Sequence, residues 1–351
     1  MRVLHMIFSF NVGGAEAMLS DILNHQCKEE HIKLIIVNAD INKALLDTVS
    51  KQVEILCLKR KPGSKNPIPF LLLNKEIIAY NPDVIHCHNH NLIGAIWLRS
   101  YRKKAMLTIH DTGSPITHFK KYRKCIAISQ AVKKDVFHRS GLDIEVIYNG
   151  IECLSIKYKE SIYFDIAKDK PLKIVQVSRL NHEKKGQHLV LQALKVLVEQ
   201  GISSLQIDFI GTGNSREYLQ QLALEMGVEE HVRFLGMKNR DYIYQHLRDY
   251  DLLIQPSLYE GFGLTVAEAM AAKVPVLVSS IEGPMEIIAN GLYGDCFEVG
   301  SVRDLAAKLS VFCSLSTTSG WQHKVQTAFD FCYANFDISN TAKAYLNSYK
   351  C

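Results

Sequence analysis

No apolar run in this chain of 351 residues approaches the roughly 20 that a membrane-spanning helix requires, so the sequence does not read as a membrane-crossing protein. The opening Met1 to Phe10 is apolar, but it carries Arg2 and His5 and has no small-residue cleavage site. It reads as a first buried strand rather than a signal peptide. Cysteine pairs are also missing: nine cysteines are scattered without a single C-x-x-C. An odd, dispersed set argues against a disulfide framework and against a zinc site, and fits reduced thiols in a cytoplasm. No low-complexity tract and no repeat with a period of roughly 20 to 50 residues is visible, which excludes a solenoid.

The remaining composition is that of an ordinary globular protein, and at roughly 100 to 200 residues per domain the length suits two domains, each with its own core. Charge is divided unevenly between them. Residues 1–165 carry a balance of +7 and residues 166–351 one of −2. The basic residues of the first half gather at Lys59-Arg60-Lys61, Arg102-Lys103-Lys104, Lys120-Lys121 with Arg123-Lys124, and Lys133-Lys134. Such runs are usually solvated surface. The sharper reading is a face resting on anionic lipid, where each basic side chain contributes about 1 kcal/mol. Nucleic acid fits less well, because the clusters lack interleaved aromatic platforms and no binding module is recognisable.

Short apolar runs alternate with helical segments, the rhythm of a parallel sheet covered by helices. Strands are predicted at Val3–Phe8, Lys33–Val37, Val53–Cys57, Val84–Cys87, Ala105–Ile109, Lys124–Ile128 and Glu145–Ile147. Helices are predicted at Ala15–Gln26, Pro69–Tyr80, Leu92–Tyr101 and Gln130–Ser140, the last capped by Ser129. The rhythm lapses over 155–171, which places a domain boundary at 165/166. It restarts with strands at Lys173–Val177, Leu205–Ile210, Val232–Leu235, Leu252–Ile254, Val274–Val278 and Asp295–Val299. The helices between and after them run Gln187–Gln200, Arg216–Met226, Asp241–Asp249, Gly283–Asn290, Val302–Phe312 and Trp321–Phe331. A separate amphipathic helix closes the chain at Asp337–Tyr349. Two doubly wound domains in tandem would place their ligand-binding strand ends on either side of a cleft.

The most informative stretch is Gln255 to Ala272, a strand end, a Gly-rich turn and a helix. Glycines there let backbone amides approach a ligand, and the helix turns its positive end and unpaired N–H groups to the same place. An anion belongs there. Glu260 and Glu268 flank it, which suits a ligand with hydroxyls as well as phosphate. Glu268 has a second reading, since Thr265-x-x-Glu268 is also a capping-box pattern. After the second domain's first strand, Ser178 to Gly186 forms a basic loop whose Arg179 and Lys185 suit a diphosphate, with charge-assisted hydrogen bonds of roughly 1.5–3 kcal/mol each. Gly211-x-Gly213 is a turn after another strand, but Arg216 breaks the full dinucleotide fingerprint. Asn11-Val12-Gly13-Gly14 is the corresponding Gly-rich turn of the first domain. His110 and Asp111 end a first-domain strand, where His serves proton handling or a hydroxyl contact as readily as structure. His86, His88 and His90 alternate, which raises the question of a metal, but no carboxylate or thiol at ligand spacing completes the set, and no metal ligands are assigned. Asp249-Tyr250-Asp251 looks like a metal-holding D-x-D but precedes its strand, at the wrong end of the sheet, and reads as structural.

These motifs, with Val146 to Ile151 and Val232 to Gly236, occur in an order that resembles the retaining glycosyltransferases of family 4 over nearly the whole chain. The resemblance implies a GT-B fold, α/β, with two Rossmann-like doubly wound domains: an acceptor-side domain at 1–165, a nucleotide-sugar domain at 166–335, and a C-terminal helix, 336–351, returning to the first. It implies that Arg179 and Lys185 neutralise the leaving diphosphate without a metal ion, Lys184 being the alternative lysine. It implies further that Glu260 lies near the transferred sugar and that Gly261, Phe262, Gly263, Leu264 and Thr265 meet sugar and phosphate through their amides. Glu268 would bind ribose, Met237 and Lys238 would hold the base, His110 would reach the sugar and Gly14 the phosphate side. No resident cofactor is implied. The expected partners are a nucleotide sugar, UDP favoured and GDP next, and a lipid-linked or oligosaccharide acceptor at an anionic membrane surface. The expected reaction is sugar transfer with retention in lipopolysaccharide, O-antigen or capsule synthesis, on the cytoplasmic side of the plasma membrane. The alternatives are a sugar-nucleotide epimerase on the same architecture, a nucleotide-binding module without catalysis, and an NAD-dependent dehydrogenase.

Overall fold

Seven short runs of the first half, rich in Val, Ile and Leu, pair side by side with no return hairpin. The computed structural model describes residues 1–11, 13–160, 171–314 and 319–350. It divides into two compact units, Met1–Glu152 with Phe336–Cys351, and Cys153–Asn335. In the first unit the strands are β1 (Arg2–Ile7), β2 (His31–Asn38), β3 (Glu54–Arg60), β4 (Val84–Cys87), β5 (Ala105–Ile109), β6 (Lys124–Ala127) and β7 (Glu145–Val146). Every pairing is parallel, in the order β3-β2-β1-β4-β5-β6-β7. Strands β4 and β5 are buried throughout, as strands covered on both faces must be. The helices are α1 (Gly14–Gln26), α2 (Lys43–Leu46), α3 (Ile68–Tyr80), α4 (Arg99–Arg102) and α5 (Gln130–Ser140). Ser129 caps α5 by accepting from the Val132 amide at 3.1 Å.

The expected helix Leu92–Tyr101 is broken. Its place is taken by a 3-10 turn, Leu92–Ala95, and the single turn of α4, with Ile96 extended between them. Asn74 accounts for the break: its amide nitrogen donates to the Ala95 carbonyl at 2.9 Å and its oxygen accepts from the Trp97 amide at 2.8 Å, satisfying groups that a continuous helix would have paired internally.

The second unit repeats the pattern with six parallel strands: β8 (Leu172–Val177), β9 (Leu205–Ile210), β10 (Val232–Gly236), β11 (Leu252–Gln255), β12 (Val276–Ser279) and β13 (Asp295–Phe297), in the order β10-β9-β8-β11-β12-β13. Its helices are α6 (His182–Lys185), α7 (Gln187–Glu199), α8 (Arg216–Met226), α9 (Arg240–His246), α10 (Leu264–Ala271), α11 (Glu282–Ile287), α12 (Val302–Ser314) and α13 (Ser319–Phe336). A core of Ile174, Leu191, Leu194, Phe209, Leu309 and Phe312, among others, joins α7 and α12 to the sheet. The expected boundary at 165/166 lies outside the described residues. Residues Cys153 to Lys159 pack with the second unit: the Lys157 amide donates to the Tyr244 carbonyl and the Lys159 amide to that of Ala272.

The final helix, α14 (Ile338–Lys350), belongs to the first unit and lies against α1. Its buried residues Ile338, Thr341, Ala342, Tyr345, Leu346 and Tyr349 recur at helical spacing, which makes a single stripe. Full burial of Ile338 and Leu346 contributes about 1.5–3 kcal/mol each. The approach is close at Gly150, where a Cβ would stand 2.7 Å from the Ile338 backbone. Among the described residues, eight cysteines are free thiols and no helix is long and apolar enough to cross a membrane.

Candidate functional site

A parallel sheet brings the residue after each strand to the same edge, and a crevice opens where successive connections leave in opposite directions. In the second unit that point lies between β8 and β11. The segment after β8 carries Arg179 and then α6, a single turn where the sequence suggested a loop. Asn181 caps it by accepting from the Lys184 amide at 3.2 Å, and Gly186 ends it. Gly186 has φ +68°, and a Cβ there would stand 1.9 Å from the Pro256 carbonyl oxygen, so only glycine lets α6 lie against the end of β11. Backbone bonds fix the contact, the Leu258 amide donating to the Lys184 carbonyl at 2.9 Å.

That contact brings Lys185 to Glu260. The Lys185 ammonium lies 2.5 Å from Glu260 Oε2, and both side chains are about four-fifths shielded, 19% and 17% exposed. Gln255, the last residue of β11, donates to the same oxygen at 3.0 Å. Gln176 Nε2 donates to the Lys185 carbonyl at 2.8 Å, and Gln187 Nε2 to those of Arg179, at 2.9 Å, and the Ser178 hydroxyl, at 3.0 Å. The three glutamines are buried, and the sequence reading missed them. Their signal was available: Gln176 and Gln255 each stand at the end of an apolar strand, where a polar residue needs a partner.

Gly261, Phe262 and Gly263 follow Glu260, and α10 starts at Leu264 with Gly263 as its N-cap and no side-chain cap bond. The capping-box reading is thereby corrected: Thr265 lies inside the helix instead of at its N-cap, and Glu268 is the fifth helical residue, half-buried. Uncapped amides at this end suit an anion beside Lys185. Met237 and Lys238 follow β10, exposed at the same edge but two strands removed from β8. Asp249 and Asp251 precede β11 at the opposite edge. Asp251 accepts from the Lys173 amide at 2.9 Å and pairs with Lys159 at 3.5 Å, while Asp249 meets His246 at 2.8 Å.

The first unit brings Gly14, at the start of α1 after β1, and His110, directly after β5, to the corresponding edge of its own sheet. Val12 of the Gly-rich turn lies outside the described residues. Behind His110 is a group of histidines larger than sequence alternation indicated. His110 Nε2 lies 3.2 Å from His88 Nδ1, His88 Nε2 lies 3.1 Å from His5 Nδ1, and His5 Nε2 lies 2.9 Å from Gln26 Oε1. His86 stacks on His88 and bonds Tyr349 and Thr108. His90 is not in this row; it stacks on His118. Nitrogens of His5, His86 and His88 lie within 4.8 Å of one another, near enough to raise the metal question again. Each ring nitrogen of the three already has a hydrogen-bond partner, and stacked rings do not converge their lone pairs on one point. A cavity of about 570 Å³ near the ends of β1 to β4 is lined by Phe8, Asn38, Arg60, Phe70 and Trp97. Arg60 donates to Asn38 and to the Ser64 carbonyl and lies over the Phe70 ring.

Residues 12–153 match the family described as glycosyltransferase family 4, and residues 159–318 match glycosyl transferases group 1. An uncharacterized glycosyltransferase of Methanocaldococcus jannaschii is 30% identical over 76% of this chain and 75% of its own length. A lipopolysaccharide 1,6-galactosyltransferase of Salmonella typhimurium is 29% identical over 66% of this chain and 65% of its own. In fold, the chain is similar to Anabaena HepE, whose structure was solved with UDP and glucose: the TM-score is 0.81 at 23% identity, over 99% of both chains.

The histidine row carries a pH prediction. Burial holds His5 at about 4, against the upward pull of its bond to Gln26, and holds His110 at about 4 despite Asp111. His86 and His88 are driven well below the ordinary value by burial first and then by neighbouring histidines, His5 and His110 acting on both. Their folded values lie below the unfolded 6.5, so the unfolded chain takes up more protons on acidification. The stability they contribute is full above pH 6.5 and is lost progressively as the pH falls below it, through about pH 4 for His5 and His110. Urea unfolding followed from about pH 7.5 to about pH 4.5 is expected to show a midpoint that declines below pH 6.5; an unchanged midpoint would contradict neutral burial.

Proposed function

The chain belongs to the group 1, family 4 glycosyltransferases, and on that footing we propose that it moves a hexosyl group from a UDP-sugar to a hydroxyl of a lipid-linked saccharide, with retention and without a metal ion. The observation that carries the donor half is the Lys185–Glu260 pair at the β8/β11 switch point, beside the uncapped start of α10. In the free enzyme Glu260 occupies the ammonium. A diphosphate exchanges for it, which releases the Glu260 carboxylate to accept hydrogen bonds from sugar hydroxyls. Lys185 and Arg179, with amides from Gly261 to Thr265, then hold the charge that grows on the leaving oxygen. The bond from the anomeric carbon to the diphosphate breaks as the acceptor oxygen attacks the same face, and the departing phosphate takes the acceptor's proton. Positioning and leaving-group stabilisation supply the rate, with no general base required. Glu268 binds the ribose hydroxyls, and Met237 and Lys238 border the base. Asp249 and Asp251, engaged at the far edge, take no part.

The acceptor half rests on the first unit. Helix α3 is apolar on both sides: Leu73 and Ile77 are buried, while Ile68, Leu71, Leu72 and Ile78 are roughly half exposed. Trp97 and Leu98, also exposed, adjoin it through Asn74. Lys59, Lys61, Lys65, Lys75, Arg99, Arg102 and Lys103 surround this face in the sequence. An exposed apolar face with basic residues near it in the sequence fits an anionic bilayer, and the Arg60 cavity beside it suits the phosphate and first sugar of a lipid-linked acceptor. The name of the Salmonella relative supports a surface polysaccharide as the product.

Incubation with UDP-glucose or UDP-galactose and a lipid-linked oligosaccharide acceptor is expected to yield free UDP and an α-linked product, unaffected by EDTA. Lys185→Ala and Glu260→Ala are expected to lower turnover by at least about 100-fold with the fold intact, on the scale of losing one oxyanion-stabilising group. Inhibition by EDTA, or full activity in either variant, would contradict the assignment; an epimerised donor without transfer would favour the epimerase. For the membrane face, flotation with phosphatidylglycerol vesicles at low salt is expected to carry the protein upward, and Leu71→Asp with Leu72→Asp to weaken binding about 10-fold. A protein that stays wholly soluble would contradict that part.

A further inference from the structure

The hydrogen-bonded row behind His110 has a direction, and it starts in the C-terminal helix. Gln26 Nε2 lies 3.4 Å from the Ala342 carbonyl and 3.3 Å from the Tyr349 hydroxyl. A backbone carbonyl only accepts, so the amide nitrogen faces Ala342 and the amide oxygen faces His5. That oxygen also only accepts, so His5 carries its proton on Nε2. A neutral imidazole with its proton on Nε2 has a lone pair on Nδ1, and His5 Nδ1 therefore accepts from His88 Nε2–H. His88 Nδ1 then accepts from His110 Nε2–H. The last nitrogen, His110 Nδ1, is a bare acceptor, buried and without a hydrogen-bond partner among the described residues. Burial keeps all these rings neutral, as the direction of each shift requires. The side branch agrees with the same assignment: Tyr349, accepting from Gln26, donates to His86 Nδ1 at 2.6 Å, and His86 Nε2–H meets Thr108 Oγ1 at 2.7 Å.

We propose that Gln26, His5 and His88 form a tautomer relay, referenced to the Ala342 carbonyl of α14, that presents His110 Nδ1 as a fixed acceptor for a hydroxyl of the bound sugar. The inference rests on the transferase reading for the identity of the ligand and on the hydrogen bonds alone for the wiring. An unpartnered buried acceptor is costly, and a ligand hydroxyl recovers that cost where a carboxylate or a missing hydroxyl does not. The site therefore selects a hexose bearing a hydroxyl at this point against the corresponding uronic acid or deoxy sugar. His88 and Gln26 are positioning residues, acting only through His110.

The test is ¹⁵N NMR of the full chain labelled in histidine, for the wild type, His88→Phe and His88→Asn. In the wild type His5, His88 and His110 are expected to be protonated on Nε2, with His110 Nδ1 unprotonated. His88→Phe removes the acceptor and leaves His110 in a mixture of tautomers; His88→Asn supplies a side-chain oxygen in place of Nδ1 and restores the single form. In transfer from UDP-glucose or UDP-galactose, His88→Phe is expected to lower kcat/KM about 10-fold and His88→Asn to recover most of it. A His110 proton on Nδ1 in the wild type would overturn the relay. So would a stoichiometric metal ion on His5, His86 and His88, or an unaltered His110 tautomer and kcat/KM in His88→Phe. The predicted tautomers in a wild type that transfers no sugar would support the relay and contradict the transferase reading.

Discussion

Parallel pairing is the constraint on which the rest depends. With all strands of a sheet pointing one way, polar residues placed just after apolar strands arrive together at one edge, however far apart they stand in sequence. Arg179, Lys185, Met237, Glu260 and Glu268 are drawn from three strand ends of the second sheet in this way, and Gly14 and His110 from two of the first. Strand order then decides which of them meet. In the second sheet the β8 and β11 ends diverge around a crevice, and that is where the lysine finds the glutamate.

Much of this was legible in the sequence, for a physical reason. A strand buried on both faces must be apolar along its length, so Val84–Cys87 and Ala105–Ile109 announce themselves, and the residues after them are candidates by position. Helix α5, with its Ser129 cap, was equally plain. What failed depended on tertiary partners. Leu92–Tyr101 has helical composition, but Asn74, about 20 residues away, binds the backbone groups that the helix needed. Thr265-x-x-Glu268 satisfies the capping-box pattern, but the chain enters α10 through Gly263, two residues earlier. Gln255 and Gln176 show only as polar residues late in apolar strands; no periodicity marks them as supports of the site, because their partners Glu260 and Lys185 stand in the turn and the helix that follow.

The first unit shows the same limit more sharply. Alternation of His86, His88 and His90 suggests one face, yet His90 pairs elsewhere, and the row recruits His5 from β1, Gln26 from α1 and Tyr349 from α14. Burying so many imidazoles is costly unless each nitrogen has a partner. Here, among the described residues, each nitrogen of the row has one except the outermost, His110 Nδ1.

The central claim is that Lys185, held by Glu260 in the free protein, is the ammonium that receives a nucleoside diphosphate. Its most direct measurement is a thermal-shift titration of wild type and Lys185→Ala with UDP, GDP, ADP and dTDP. A ligand at about 100 times its dissociation constant adds about 2.7 kcal/mol, which such a melt resolves. The account predicts stabilisation of the wild type by UDP above the others and its loss in Lys185→Ala. No shift with any of the four, or an equal shift in the variant, would contradict it.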